Sequence, residues 1–439
     1  MNLEIVDQLR TAVQSLSTKH HIGRVVTVGT TQVSVSGLGG QAALGDPVEV
    51  LSQSGTIPGE VIQLAGTQTH ILLDGPTDGT RLNDAVILQA RRRFAPHASW
   101  IGRVIDPDGQ PLDGKPLYPG PIARPLQPPP PPAHDRRGMG ERLETGLAVF
   151  NTLLPIVKGQ RIGLFAGSGV GKSTLIAHLA SGTDADVIVI ALVGERGREV
   201  RHFVENVLGP EGMRRAVIVA ATSDRAAQVR KRCALAAMAI AEHFRDAGRH
   251  VLLFVDSVTR FCEAHREISV AAGESASLRG YPASTAPAIA GLCERAGPGT
   301  RETGDITAVL SVLVAGSDMD EPVADMLRGV LDGHVVLDRE IAERGRFPAV
   351  DVLRSVSRSL PDAANDLENS AIAEARTQLG RYANAELMIQ AGLYTHGTDK
   401  LIDSAIDCHG PIDQFLRTRD SRGTDAHFMA LRQALAAAH

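Results

Sequence analysis

Hydrophobic positions in this chain change their period several times, and each change marks a different kind of structure. Between Leu3 and Leu16 the apolar residues Ile5, Val6, Leu9 and Val13 recur at three- and four-residue steps, which lays one stripe along a short amphipathic helix. Such a stripe packs on its own domain or docks on a partner. From Ile22 to about Arg93 the pattern becomes short alternating segments, "GRVVTVG", "QVSVSGL", "DPVEVL", "GEVIQL" and "HILLDG", separated by Gly, Pro, Asn and Asp. That texture predicts a small antiparallel barrel or sandwich. The stretch "PLQPPPPPAHDRRGMG" forms neither a central strand nor a helix interior, so it reads as an extended connector.

Past Gly138 the apolar runs are continuous rather than alternating: "QRIGLFAG", "DVIVIALVGE", "AVIVAATSD", "HVLLFVDS", "ITAVLSVLVAG" and "HVVLD". Runs buried on both faces are what a parallel sheet between helices requires. Beyond about Pro361 the chain turns Ala-rich with helical periodicity in "ENSAIAEARTQLGRY", "DSAID", "IDQFL" and "AHFMALRQALAAA". The expected organisation is an amphipathic helix over 1–20, a β-barrel over 21–93, an α/β core over 94–360 that includes the connector at 119–138, and a helical domain over 361–439.

Composition narrows the function classes. With 43% apolar and 22% charged residues over 439 positions the chain has ordinary globular makeup and the length of two to four domains. A net charge of −5 and 3% aromatics supply neither a basic field nor stacking platforms, so no nucleic-acid partner is expected. "MNLEIVDQLR" places Glu4 and Asp7 where a signal peptide needs basic residues, and no apolar run approaches the ~20 residues of a membrane span. Cys233, Cys262, Cys293 and Cys408 have no C-x-x-C spacing, which fits a reduced cytosol.

The chemistry begins at "AGSGVGKS", Ala166 to Ser173, between a predicted strand and a predicted helix. Glycines there let successive backbone N–H groups wrap phosphates at a helix N-terminus. Lys172 supplies a mobile charge to the terminal phosphates, and the Ser173 hydroxyl is placed for Mg²⁺. Ala166 replaces the motif's first glycine, a position where size matters more than positive φ. Asp256 ends the buried run "VLLFVD" and is the second expected magnesium ligand. Ser257 follows it where many phosphate-loop ATPases carry a water-orienting glutamate, so that carboxylate must come from elsewhere. Glu195 in "VIVIALVGERGREV" stands at the C-terminal end of the next strand, where ligands of parallel sheets collect. Arg196 and Arg198 beside it reach phosphate or pair with Glu199. Spacing alone does not select an arginine finger.

Taken with "GERGREV", "ATSD", "LLFVDSVTRF", "REI", "RGYPAS", "LDGHVVLDREIAERGRFPAVDVLRSVSR" and "GTDKLIDSAID", the sequence resembles the flagellar type III export ATPases. These belong to the type III secretion ATPases, which are similar to the alpha and beta subunits of rotary ATP synthases. The likeness runs from Ile22 to about Arg417, and "ERLETGLAVFNTLLPIVKGQRIGLFAGSGVGKSTL" is nearer the flagellar than the injectisome branch. It implies a RecA-like α/β phosphate-loop ATPase core with an N-terminal small β-barrel and a C-terminal α-helical domain. ATP and Mg²⁺ are the implied substrate and metal, with Gly167, Ser168, Gly169, Val170, Gly171, Lys172, Ser173 and Thr174 at the phosphates. Asp256 becomes the second metal residue and Glu195 the catalytic carboxylate. Arg358 in "RSVSR" becomes a finger reaching a neighbouring subunit's site. Phe347 matches an adenine-stacking position that is usually tyrosine, and Asp305 stands where family members often carry serine.

With Glu195 and Arg358 in one chain, identical copies set head to tail complete a site at every interface, and closure gives a ring. The family expectation is a homohexamer, cytoplasmic and peripheral at the inner face of the cytoplasmic membrane. Implied partners are a regulator on the N-terminal helix, a central stalk protein, the export gate, chaperones and export substrates. An injectisome ATPase and a rotary-synthase catalytic subunit are alternatives within the same enzyme class. An RNA translocase of the transcription-terminator type is opposed by the acidic charge, and a non-catalytic scaffold by the presence of every catalytic part.

Overall fold

The computed structural model describes residues 20–91, 93–276, 280–314 and 319–436. The helix expected over 1–20 lies outside them apart from His20. Strands β1 (His21–Val28), β2 (Gln32–Ser36), β3 (Pro47–Ser52), β4 (Gly55–Ala65), β5 (Gln68–Leu73) and β6 (Ala85–Leu88) close a barrel in the order β1-β2-β5-β4-β3-β6. Alternation turns Val25, Val33, Val35, Val48, Val50, Val61, Ile71 and Val86 into its interior. The choice between barrel and sandwich is decided by β6, a strand of only four residues that the hydrophobic pattern does not resolve. It pairs antiparallel with both β1 and β3, which removes the free edges a sandwich would keep. Gly23 is required on β1, because a Cβ there would lie 2.5 Å from Val35 Cγ1 and 2.8 Å from Leu38 Cγ.

The core sheet comprises β7 (Val104–Ile105), β8 (Arg161–Ala166), β9 (Val187–Glu195), β10 (Ala216–Thr222), β11 (Val251–Asp256), β12 (Ile306–Leu313), β13 (Gly333–Leu337) and β14 (Val350–Ser357). Its order is β14-β13-β8-β12-β11-β9-β10-β7. All neighbours are parallel except β13 and β14. Continuous apolar runs bury both faces: Ile188, Ile190 and Leu192 of β9 join one core, and Val187, Val189, Ala191 and Val193 join the other. The helix Lys172–Gly182 and the C-terminal helices cover the first face, and Ala227–Asp246 covers the second. Arg232 of that helix ties the barrel to the core, bonding Glu60 at 2.5 Å and Asp108 at 2.8 Å.

Three helices follow, Asp366–Gln390, Lys400–Leu416 and Thr424–Leu435. A capping box between Asn365 and Glu368 starts the first. "DSAID" and "IDQFL" lie in one helix that runs through Pro411, so the proline does not divide them. Among the described residues no helix is long and apolar enough to cross a membrane.

The connector is pinned to the core by charged contacts. Arg124 bonds Asp246 at 2.6 Å, and Arg136 bonds the Glu294 carbonyl at 2.5 Å. Asp305 now has a role: its Oδ1 accepts from Arg137 Nη2 at 2.7 Å and from Gly299 N at 2.9 Å. It stands just before β12, at the sheet edge remote from the phosphate loop. Asp305→Ala should therefore cost about 1–2 kcal/mol in denaturant unfolding by stranding the Gly299 N–H. ATP affinity should not change, and a weakened affinity with no loss of stability would contradict this assignment.

Candidate active site

In a parallel sheet all C-terminal strand ends share one edge, so residues that close β8, β9 and β11 meet there. β8 ends at Ala166, fully buried between β12 and β13. The loop turns through Gly169 at φ 80° and Gly171 at φ 85°, left-handed conformations that favour glycine, and Gly171 caps the helix beginning at Lys172. Ser173 and Thr174 are exposed on the first helical turn. The result is a glycine-lined concavity at a helix N-terminus, suited to an anion.

Asp256 is 4% exposed at the end of β11 and forms an ion pair with Lys172. Its Oδ1 also accepts from the Ser311 hydroxyl at 2.6 Å. Ser257 is an N-cap rather than a catalytic group: its Oγ accepts from Arg260 N at 3.3 Å to start Val258–Ala271. The carboxylate beside the loop is Glu195, at the end of β9. Burial, then the Asp256 charge, then a hydrogen bond with Glu199 push its pKa up to about 7, against a smaller opposing pull from Lys172. Arg196 and Arg198 lie 3.4 and 4.0 Å from Glu199, so in this state they pair with it.

Phe347 stands on the other side of the loop, with its ring 3.3 Å from where a Gly171 Cβ would be. It lines a cavity of about 340 Å³ with Leu147, Gly171, Thr174, Leu175, His178, Pro348 and Arg419. Arg358 is elsewhere. β14 is antiparallel: Val350 pairs with Leu337, itself level with Ala166, whereas Ser357 pairs with Gly333 at the opposite edge. An eight-residue strand, roughly 25 Å long, separates the two ends. Arg358 is exposed there, with Nη2 donating to the Arg328 carbonyl at 3.3 Å.

Residues 146–357 match the family profile for the ATP synthase alpha/beta family, nucleotide-binding domain, and residues 365–437 match the T3SS EscN ATPase C-terminal domain. The flagellum-specific ATP synthase of Caulobacter vibrioides is 43% identical over 94% of this chain and 95% of its own. The chain belongs to the flagellar and type III secretion ATPases. The assembled ATPase EscN of the enteropathogenic E. coli type III secretion system superposes with a TM-score of 0.87 at 35% identity, covering 94% of this chain and 100% of that one. The same ATPase in complex with its central stalk EscO gives a TM-score of 0.83 at 35% identity, with the same coverage.

Two residues of this ATPase site are not found by the sequence reading. Ser311 interrupts the apolar run "AVLSVLV" of β12, and that polar break is its only signal. Arg260 packs its stem against Gly194, where a Cβ would lie 3.4 Å from Arg260 Cβ; its hydrogen bond to Glu263 chiefly, and the nearby Glu195 charge to a smaller degree, raise its pKa. It is half-exposed and paired with Glu263 at 2.8 Å, which sets this ion pair near the candidate catalytic carboxylate.

Proposed function

We propose that this chain is the ATP-hydrolysing subunit of a homohexameric ring that energises flagellar protein export and releases substrates from their chaperones. What carries the reading is the division of one site between two ends of the sheet. Lys172, Asp256 and Glu195 gather at one edge, and Arg358 stands at the other, where only a neighbouring copy can use it. The 43% identity to the flagellum-specific ATP synthase of Caulobacter vibrioides over 94% of this chain supports the flagellar role.

In this reading the loop N–H groups from Gly167 to Thr174 hold the triphosphate, and its terminal phosphates draw Lys172 from Asp256. The hydroxyl and carboxylate oxygens of Ser173 and Asp256 form a hard donor set that suits Mg²⁺. That ion would neutralise charge on the phosphate oxygens. Glu195 orients the attacking water and takes its proton; Phe347 stacks on the adenine without the hydroxyl contact a tyrosine would add. A central stalk protein inside the ring is proposed by likeness to the EscN–EscO complex. A regulator on the N-terminal segment, the export gate, and a peripheral place at the inner face of the cytoplasmic membrane complete the proposal.

Deleting the gene for this chain should abolish motility and stop secretion of flagellar rod and hook subunits. Retained motility with loss of another secreted class would transfer the enzyme to an injectisome.

A further inference from the structure

Behind the phosphate loop, one helix face runs past two adjoining cavities. Thr174, Leu175 and His178 line the cavity of about 340 Å³ beside Phe347. His178, Ser181 and Gly182 line a second of about 270 Å³. Residues three and four apart on a helix are neighbours, so both cavities open on the same side. Leu147, His178 and Arg419 border both, and Arg419 Nη1 reaches His178 Nε2 at 2.8 Å. Because a guanidinium only donates, His178 Nε2 is the acceptor and its ring proton sits on Nδ1. Burial first, and the Arg419 charge second, hold the His178 pKa below its ordinary value, which keeps this acceptor available.

Arg419 belongs to the C-terminal helical layer, on the segment between Lys400–Leu416 and Thr424–Leu435. That segment is stitched to the core. Arg419 and Leu147 form an antiparallel bridge, Ala148 N donates to Thr418 O at 3.1 Å, and Asp420 N donates to Gly146 O at 3.0 Å. Behind it the fully buried His427 bonds Asp420 at 3.0 Å and Asn151 at 3.1 Å. The backbone at residue 419 is thereby fixed, while its side chain is exposed at the cavity that holds Phe347.

We propose that Arg419 is a second base-contacting residue of the nucleotide site, its planar guanidinium packing on the purine that Phe347 stacks against, with His178 as its positioning residue. A guanidinium is weakly hydrated and stacks on aromatic faces, which an ammonium does less well. Base occupancy is then felt directly by the C-terminal helical domain, through the Arg419 side chain at the cavity. The inference rests on reading this cavity as the base end of the ATP site.

The test measures affinity of the full chain for ADP and for inorganic tripolyphosphate, which carries phosphates and no base. Arg419→Ala should weaken ADP about tenfold, in line with a desolvated cation–π contact, and leave tripolyphosphate unchanged. Arg419→Lys should recover only part of the loss, and His178→Ala should give a smaller loss of the same kind. Phe347→Ala serves as the reference for the base pocket and should also weaken ADP alone. The proposal fails if Phe347→Ala weakens ADP while Arg419→Ala does not. It fails equally if Arg419→Ala weakens both ligands alike, since that is a structural effect. If neither variant changes ADP affinity, the base-pocket reading itself is wrong.

Discussion

Arg358→Ala should lower ATP turnover roughly 10³–10⁵-fold, the range for loss of an arginine finger, and leave ATP binding nearly intact. The expectation follows from placement: Arg358 lies a full β14 length from the phosphate loop of its own chain and cannot touch phosphates bound there. Complementation separates a finger from a fold defect. Rings mixed from Arg358→Ala chains and Glu195→Gln chains contain interfaces where an intact Glu195 meets an intact Arg358. At a 1:1 ratio about a quarter of interfaces are of that kind, so measurable turnover should return although each variant alone is inactive. No recovery at any ratio would show that the site is not shared in this way.

The parts legible in the sequence are those whose physics is local. Phosphate binding needs glycines in left-handed turns between a strand and a helix, and "AGSGVGKS" carries that within eight residues. Continuous apolar runs predict parallel strands because both faces of such strands are buried, and β8 to β13 follow that rule. β14 escapes it. As an antiparallel edge strand with exposed Leu353, Arg354 and Val356 it shows neither a continuous run nor clean alternation, yet it fixes where Arg358 stands. β6 and β7 are too short to carry a period and are made by their partners. The side chains that complete the site from a distance, Ser311, Arg260 and Arg419, are joined to it only by folding. A serine in an apolar run and two arginines in a chain with 45 basic residues carry no spacing that selects them. Asp305, a departure from the family's usual serine, is explained by a contact 168 positions away in sequence.

Glu195→Gln should bind ATP and lose roughly 10²–10⁴-fold in turnover, because the amide holds the water but cannot take its proton. The raised pKa gives this claim a pH signature. A base acts when deprotonated, so kcat/KM should fall about tenfold per pH unit below pH 7 and level off above it, with an apparent pKa of about 7. A glutamate near its ordinary value of 4.5 would leave the rate flat over pH 5.5–9, and a flat profile would remove Glu195 from the role. Stability should move the opposite way. A carboxylic acid whose folded pKa lies above its unfolded value binds its proton more tightly in the native state. Its stabilising contribution is therefore complete below pH 4.5 and is lost as pH rises through 7. Above pH 7 the folded protein carries a partly buried charge beside Asp256, a stability cost of the kind a catalytic base would impose. Glu195→Gln, with no charge to bury, should raise Tm relative to the parent chain at pH 8 and gain nothing at pH 4.5. An equal gain at both values would point to packing rather than charge as the origin.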